Sequence, residues 1–337
     1  MNPATPVRDT TDRGTSNESP PTRTTDSIIA ALDAVREQMA GVIRGKEGVI
    51  DRIVMAMLCQ GHVLLEDVPG VGKTTLAKAL AGTVGLSFGR VQCTPDLLPS
   101  DIVGFNIFQP ADGTFAFKRG PVFHHLLLVD EINRASPRTQ SALLEAMAER
   151  QVTIEGAAYP LPQPFVVLAT QNPIGFEGTF PLPEAQLDRF LFLLRMDYPD
   201  RESEIDLLLD QAVTDATSGL ESVMDGDMVQ QAAEMVRRVH VERLIAQYVV
   251  DIVAATRDHP AIRLGSSPRG AQMILRAAQA AAFLDRRAFV LPDDVQSVAA
   301  DVLAHRIVRH ESLRESVSSW DNDHALLREL ISAVKLP

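Results

Sequence analysis

The run Asp67-Val68-Pro69-Gly70-Val71-Gly72-Lys73-Thr74-Thr75 lies between a short apolar stretch, 62–66, and a helix-forming one, 73–83. Gly70 and Gly72 let the backbone curl so that successive N–H groups converge on an anion, and the start of the next helix adds partial positive charge. Phosphate suits such a loop. Lys73 would reach the outer phosphates of a nucleotide, and the Thr74 hydroxyl would take one position on Mg²⁺. The strict pattern GxxxxGK[ST] asks for Gly where this chain has Asp67, so the match falls short by one residue. Taken alone, the GKT stretch could also be a Gly-rich turn that only joins strand to helix.

A second constellation follows. Leu126-Leu127-Leu128-Val129-Asp130-Glu131 is an apolar strand pattern ending in two carboxylates. Asp130 would hold Mg²⁺ through water, and Glu131 would polarise the water that attacks the outer phosphate. Isolated, the pair could cap the next helix; with the phosphate loop upstream it reads as the hydrolytic half of an NTPase site.

These groups need a frame. Apolar runs at 62–66, 126–130 and 165–170, each bounded by Gly, Pro or Asp, read as buried strands. Helices are expected over 47–60, 73–83 and 137–150, the last with Ser136 as N-cap and Pro137 at its first position. Alternating strands and helices predict a parallel α/β sheet covered on both faces. Beyond residue 198 strand patterns nearly vanish, and Ala-rich amphipathic stretches at 269–284 and 293–308 predict an all-helical domain. Residues 209–227 read as a connection inside it. The first 26 residues are mostly Thr, Ser, Pro and charge, which predicts a disordered tail. The expected organisation is a tail over 1–26, a nucleotide-binding core over 27–198 and a helical lid over 199–337.

Composition narrows the function. The chain has 337 residues, 44 acidic and 32 basic, for a net charge of −12. Such a molecule repels polyanions, so neither nucleic acid nor an anionic membrane surface is expected as a partner. No apolar run is long enough for a signal peptide or a bilayer span, and Cys59 and Cys93 are too few for a disulfide framework. A cytoplasmic protein is expected. The eight histidines show no metal-ligand spacing.

Taken together, several segments resemble the AAA+ ATPases, and within them the MoxR family: LLEDVPGVGKTTLA at 64–77, TPDLLPSDIVG at 94–104, FKRGPVF at 117–123, LLLVDEINRASPRTQSALLEAMAERQVT at 126–153, VVLATQNP at 166–173, FPLPEAQLDRF at 180–190 and SSPRG at 266–270. The resemblance implies a P-loop core with a C-terminal lid, ATP and Mg²⁺ as cofactors, and a loop of the EDVPG form. It assigns Asn172 the sensor 1 role at the γ-phosphate, Arg189 the finger that reaches a neighbouring subunit's nucleotide, and Arg269 the sensor 2 role in the lid. By residue type alone, Asn172 could form a turn, Arg189 could pair with Asp188 or Glu184, and Arg269 could be a surface residue. Val42 and Ile43, in VIRG, resemble the stretch that packs adenine. Hairpins are expected over 105–118, around Asp112-Gly113, and over 151–164; in related machines they face a pore or a client. The resemblance further implies a homo-oligomeric ring, six subunits being the family expectation, that remodels client or partner proteins, von Willebrand factor A domain proteins among them. An AAA+ nucleic-acid motor or a nucleotide-dependent switch is the alternative.

Overall fold

The computed structural model describes residues 23–66, 70–111, 113–172, 178–198, 201–202, 204–205, 217, 219–310 and 319–337. Order begins before Ser27, which shortens the expected tail. Thr24 caps α1 (Thr25–Val42) by accepting from the Ser27 N–H, and Arg23 forks onto both carboxylate oxygens of Asp225 at 2.7 and 3.0 Å. The rest of the expected tail, 1–22, lies outside the described residues. Helix α1 buries Ile28, Ile29, Leu32, Val35 and Met39, the apolar stripe its sequence spells out, and α2 (Glu47–Leu58) is followed by Gln60, a left-handed residue with φ 51°.

Five strands form one parallel sheet in the order β2-β5-β8-β1-β9: β1 (Val63–Glu66), β2 (Phe88–Gln92), β5 (Leu126–Asp130), β8 (Val166–Gln171) and β9 (Phe192–Leu194). Leu64 lies opposite Ala169 and Leu193, and Leu128 opposite Leu168 and Arg90. The three apolar runs of the sequence are the three central strands. Both edge strands escaped the pattern: β2, FGRVQ, is broken by Gly89 and Arg90, and β9 is only a three-residue strand. Helices α3 (Lys73–Thr83), α4 (Pro99–Val103), α5 (Pro137–Glu149) and α6 (Glu184–Leu187) join the strands. In α5 the Ser136 hydroxyl accepts from the Thr139 N–H, the capping read from its sequence, and Arg150 ends the helix at φ 54°.

Two hairpins stand outside the sheet, β3 (Gly104–Gln109) with β4 (Thr114–Arg119), and β6 (Gln151–Ile154) with β7 (Ala157–Pro160). Asp112 of the first turn lies outside the described residues; Gly113 beside it takes φ 64°. At the base of this hairpin a Cβ on Gly104 would sit 2.3 Å from the Lys118 carbonyl oxygen, so only glycine lets the strands close there. The hairpins lean on each other. Phe117 stacks on Tyr159 at 4.3 Å, and Asn106 donates to Glu155 at 2.8 Å.

The C-terminal part is helical: α7 (Gly226–Arg237), α8 (Arg243–Asp258), α9 (Pro268–Leu284), α10 (Pro292–Leu303) and α11 (Ser319–Ala333), with a small ribbon of β10 (Ile262–Leu264) and β11 (Val308–Arg309). Residues 209–216 and 218 of the expected connection at 209–227 lie outside the described residues; its last residues, 226–227, already belong to α7. The expected helix over 293–308 ends at Leu303, because His305 and Arg306 turn onto the core. His305 Nε2 lies 3.0 Å from the Phe190 carbonyl oxygen, and Arg306 holds Asp188 at 2.8 Å with its guanidinium almost fully buried. Arg306 also donates to the carbonyls of Asp188, Phe190, Leu191 and Val302. Truncating such a clamp leaves several acceptors and a carboxylate without their cation. Arg306→Ala should therefore lower unfolding free energy by about 3 kcal/mol in chemical denaturation; a loss below about 1 kcal/mol would mean the clamp carries no stability.

Candidate nucleotide-binding site

Parallel strands put all their carboxyl ends at one edge of the sheet, and the loops leaving those ends enclose a cleft of about 220 Å³. Gly70, Gly72, Lys73 and Thr74 line it from the end of β1, Asp130 and Glu131 from β5, and Thr170, Gln171 and Asn172 from β8. Gly70 and Gly72 sit at φ 91° and 90°, the left-handed region that favours glycine, and Gly72 is the residue before α3. Asp67, Val68 and Pro69 lie outside the described residues. Val71 packs on the core, and Thr75, Val42 and Ile43 do not line the cleft; Ile43 is buried in the core and Val42 ends α1.

The two carboxylates are held differently. Asp130 is 7% exposed; Arg90 Nε donates to its Oδ2 at 2.8 Å, and the Thr170 hydroxyl lies 3.4 Å from its Oδ1. Glu131 takes φ 55° and ψ 51°, a left-handed backbone that costs a non-glycine residue about 1 kcal/mol or more. Its N–H donates to the Thr170 hydroxyl at 2.9 Å, which helps hold that turn, and its carboxylate accepts from Arg134 at 2.9 Å. A hydroxyl at Thr74, a fixed carboxylate at Asp130 and the Lys73 ammonium around one cleft form a donor set that fits a nucleotide phosphate with Mg²⁺.

Arg189 and Arg269 are elsewhere. They line a second cleft of about 150 Å³ with Gln60, Gly61, His62, Met147, Arg150, Leu191 and Arg276 among its walls. Gly61 and His62 precede β1, Leu191 precedes β9, and Met147 and Arg150 lie at the C-terminal end of α5. This cleft is therefore at the amino ends of the strands, while Lys73 and Glu131 are at the carboxyl ends. Four-residue β1 alone separates the two by about 13 Å. Asp188 is taken by Arg306, and Arg189 Nη1 donates instead to the Leu144 carbonyl. Gln60 accepts from both Arg150 and Arg237, at 2.6 and 2.9 Å, so the rim gathers guanidiniums without a carboxylate among the lining residues.

His62 forms the floor of this basic cleft. Its Nδ1 accepts from the Val167 N–H at 3.0 Å, which leaves the proton on Nε2, facing the Met147 carbonyl at 3.2 Å. Burial, with Arg150 and Arg269 adding smaller repulsions, pulls its pKa down to about 4. The unfolded chain binds that proton more readily, so the neutral imidazole contributes stability above pH 6.5 that is lost as pH falls towards 4. Between pH 7 and about pH 4.5, His62→Gln should lose about 2 kcal/mol less unfolding free energy than the parent. Equal losses would show that His62 does not titrate on unfolding. The thiols of Cys59 and Cys93 are pushed up to about 12 by burial, so neither is poised to react; Cys59 is only half-buried by area.

Arg90, Gln92, Thr170 and Gln171 line the first cleft without having been singled out from the sequence. The signal for Arg90 and Gln92 is that they point the same way, two residues apart, on a strand lying beside β5. That signal needs β2 to be recognised first.

The family described as ATPases associated with various cellular activities (AAA) matches residues 62–192, and the AAA lid family matches 254–327. The chain is 38% identical to Chaperone MoxR1 of Mycobacterium tuberculosis, over 92% of this chain and 83% of that protein. It is 36% identical to Protein MoxR of Paracoccus denitrificans, over 79% of this chain and 85% of that one. A solved structure from Cytophaga hutchinsonii superposes with a TM-score of 0.85 at 36% identity, covering 93% of this chain and 97% of that one. With the phosphate loop, the paired carboxylates and the lid in place, the chain belongs to the MoxR family of AAA+ ATPases.

Proposed function

We propose that this protein hydrolyses ATP with Mg²⁺ in a homo-oligomeric ring, a hexamer in the family's manner, and uses the resulting motion to remodel partner proteins. The observation that carries this reading is the placement of Lys73 and Glu131 at one end of the sheet and of Arg189 and Arg269 at the other. One chain cannot bring both sets to the same phosphate, whereas a head-to-tail neighbour can. The residues then divide the work. Lys73 and the N–H groups of the Gly70–Gly72 loop bind the phosphates, and Thr74 and Asp130 would hold Mg²⁺, which supplies charge to the transferring phosphoryl group. Glu131 orients and polarises the attacking water, and Asn172 donates its amide near the γ-phosphate. Arg189 and Arg269 of one subunit add charge at the nucleotide of the next, so Arg269 serves its neighbour rather than its own chain.

Residues 27–198 act as the core and 199–337 as the lid, with Val42 and Ile43 at the adenine end. The hairpins supply the client contact, since Phe105, Ile107, Phe108 and Phe115 are exposed on β3 and β4. Partners are proteins, von Willebrand factor A domain proteins included, and the setting is the cytoplasm. Among the described residues, no helix is long and apolar enough to cross a membrane.

The test is the ATPase rate per subunit as a function of protein concentration. A rate that climbs steeply and then saturates, with sedimentation showing assembly over the same range, is expected. Turnover in protein shown to be monomeric, unchanged by dilution, would overturn the ring and leave a switch.

A further inference from the structure

Asp130 has a resident cation. Arg90 comes from β2, the strand beside β5, and its Nε meets Asp130 Oδ2 at 2.8 Å while Thr170 attends Oδ1. The Asp130 side chain is 11% exposed and that of Arg90 is 50% exposed. Arg90 and Asp130 line the same cleft as Lys73, Thr74 and Gln92, with the Arg90 Nε on the carboxylate. Among the described residues Arg90 makes no other hydrogen bond or ion pair. Its side chain thus has one fixed contact, the carboxylate, and is half exposed on the cleft.

We propose that Arg90 is a placeholder for the metal: it neutralises and orients Asp130 while the site lacks Mg²⁺, so that the carboxylate does not repel the nucleotide phosphates, and it gives up the carboxylate when Mg²⁺ takes it over. This rests on the reading of the first cleft as a Mg²⁺–nucleotide site. Electrostatics supplies the drive. A divalent ion near Asp130 repels the guanidinium and displaces it from the carboxylate. An exchange of partners keeps the buried carboxylate paired in both states, which avoids the penalty of an uncompensated buried charge. Arg90 is thus a positioning residue for Asp130, and in the metal-free complex it cancels the charge that would otherwise repel phosphate.

The test is the affinity of full-length protein for a fluorescent ATP analogue, titrated once in excess Mg²⁺ and once in excess EDTA. Arg90→Ala should weaken binding in EDTA by about tenfold and change binding in Mg²⁺ much less, so the Mg²⁺-dependent gain in affinity widens. Asp130→Asn frees Arg90 for the phosphates: binding in EDTA should hold or tighten while the gain from Mg²⁺ disappears. The double variant should show that the two effects are not additive. If Arg90 were only a structural counter-ion, Arg90→Ala would lower the melting temperature and leave the ratio of the two affinities unchanged, which would overturn the proposal. So would equal weakening in both titrations with a parent-like melt. Lys73→Ala separates this from the site assignment. Should it keep parent affinity, the nucleotide reading itself fails; should it lose affinity while Arg90→Ala leaves the ratio intact, only the placeholder fails.

Discussion

Glu131→Gln should bind ATP as tightly as the parent chain and turn it over at least about a hundredfold more slowly, the range expected for loss of a general base. The structure gives this side chain little to do in binding: it sits beyond the end of β5, past the Asp130 carboxylate, on a strained left-handed turn tied to Thr170. A turn that costs free energy and points a carboxylate into the cleft is what a group held for chemistry looks like. Its partner Arg134, at 2.9 Å, holds that carboxylate at the cleft wall. Glutamine is nearly the same shape, can still accept from Arg134 and leaves the backbone N–H bond to Thr170 in place, so folding and nucleotide affinity are preserved. Single-turnover hydrolysis together with equilibrium binding separates the two effects. Parent-like turnover would remove Glu131 from its role, and lost binding would move it into the phosphate-holding set.

Arg189→Ala should lower turnover by about a thousandfold or more, as expected when a guanidinium on the transferring phosphoryl group is removed, with ATP affinity only modestly changed. The larger claim concerns where that activity is lost. In the proposed ring, Lys73→Ala should inactivate a subunit's own cleft and Arg189→Ala the cleft of the next subunit, because the two residues lie at opposite ends of the sheet. Mixing the two inactive variants should therefore restore measurable ATPase, since an intact Arg189 can face an intact Lys73 across a mixed interface. Fresh mixing with time for subunit exchange is the measurement. No recovery in rings shown to be mixed, or full activity in Arg189→Ala alone, would show that Arg189 does not act across the interface.

How much of this was legible depends on distance along the chain. The phosphate loop is one contiguous strand–loop–helix segment, and Asp130 and Glu131 end an apolar run, so residue type and spacing were enough to place them. Ser136 and the stripe of α1 were legible for the same reason, since a cap or a helical face is decided within a few residues. The edge strands were not. A strand such as FGRVQ shows itself only by pairing with β5, and its Gly and Arg hide the pattern a central strand displays. The end of α10 was misread because helix-forming residues continue to Val308, while Arg306 and His305 gain more by reaching the core than the helix gains by continuing.

By itself, the sequence singled out the candidates for chemistry, Gly70 to Thr74 for phosphate and Asp130 and Glu131 for metal and water, and the segments that mark a MoxR-family AAA+ chain. Only the tertiary structure decided the geometry of cooperation. Strand order β2-β5-β8-β1-β9 sets Arg90 against Asp130, and the parallel sense of these five strands puts Arg189, just before β9, at the far edge from Lys73, where Arg269 of α9 lines the same cleft. Those relations join residues far apart in the chain, and they exist only once burial of the apolar strands has chosen which neighbours pair.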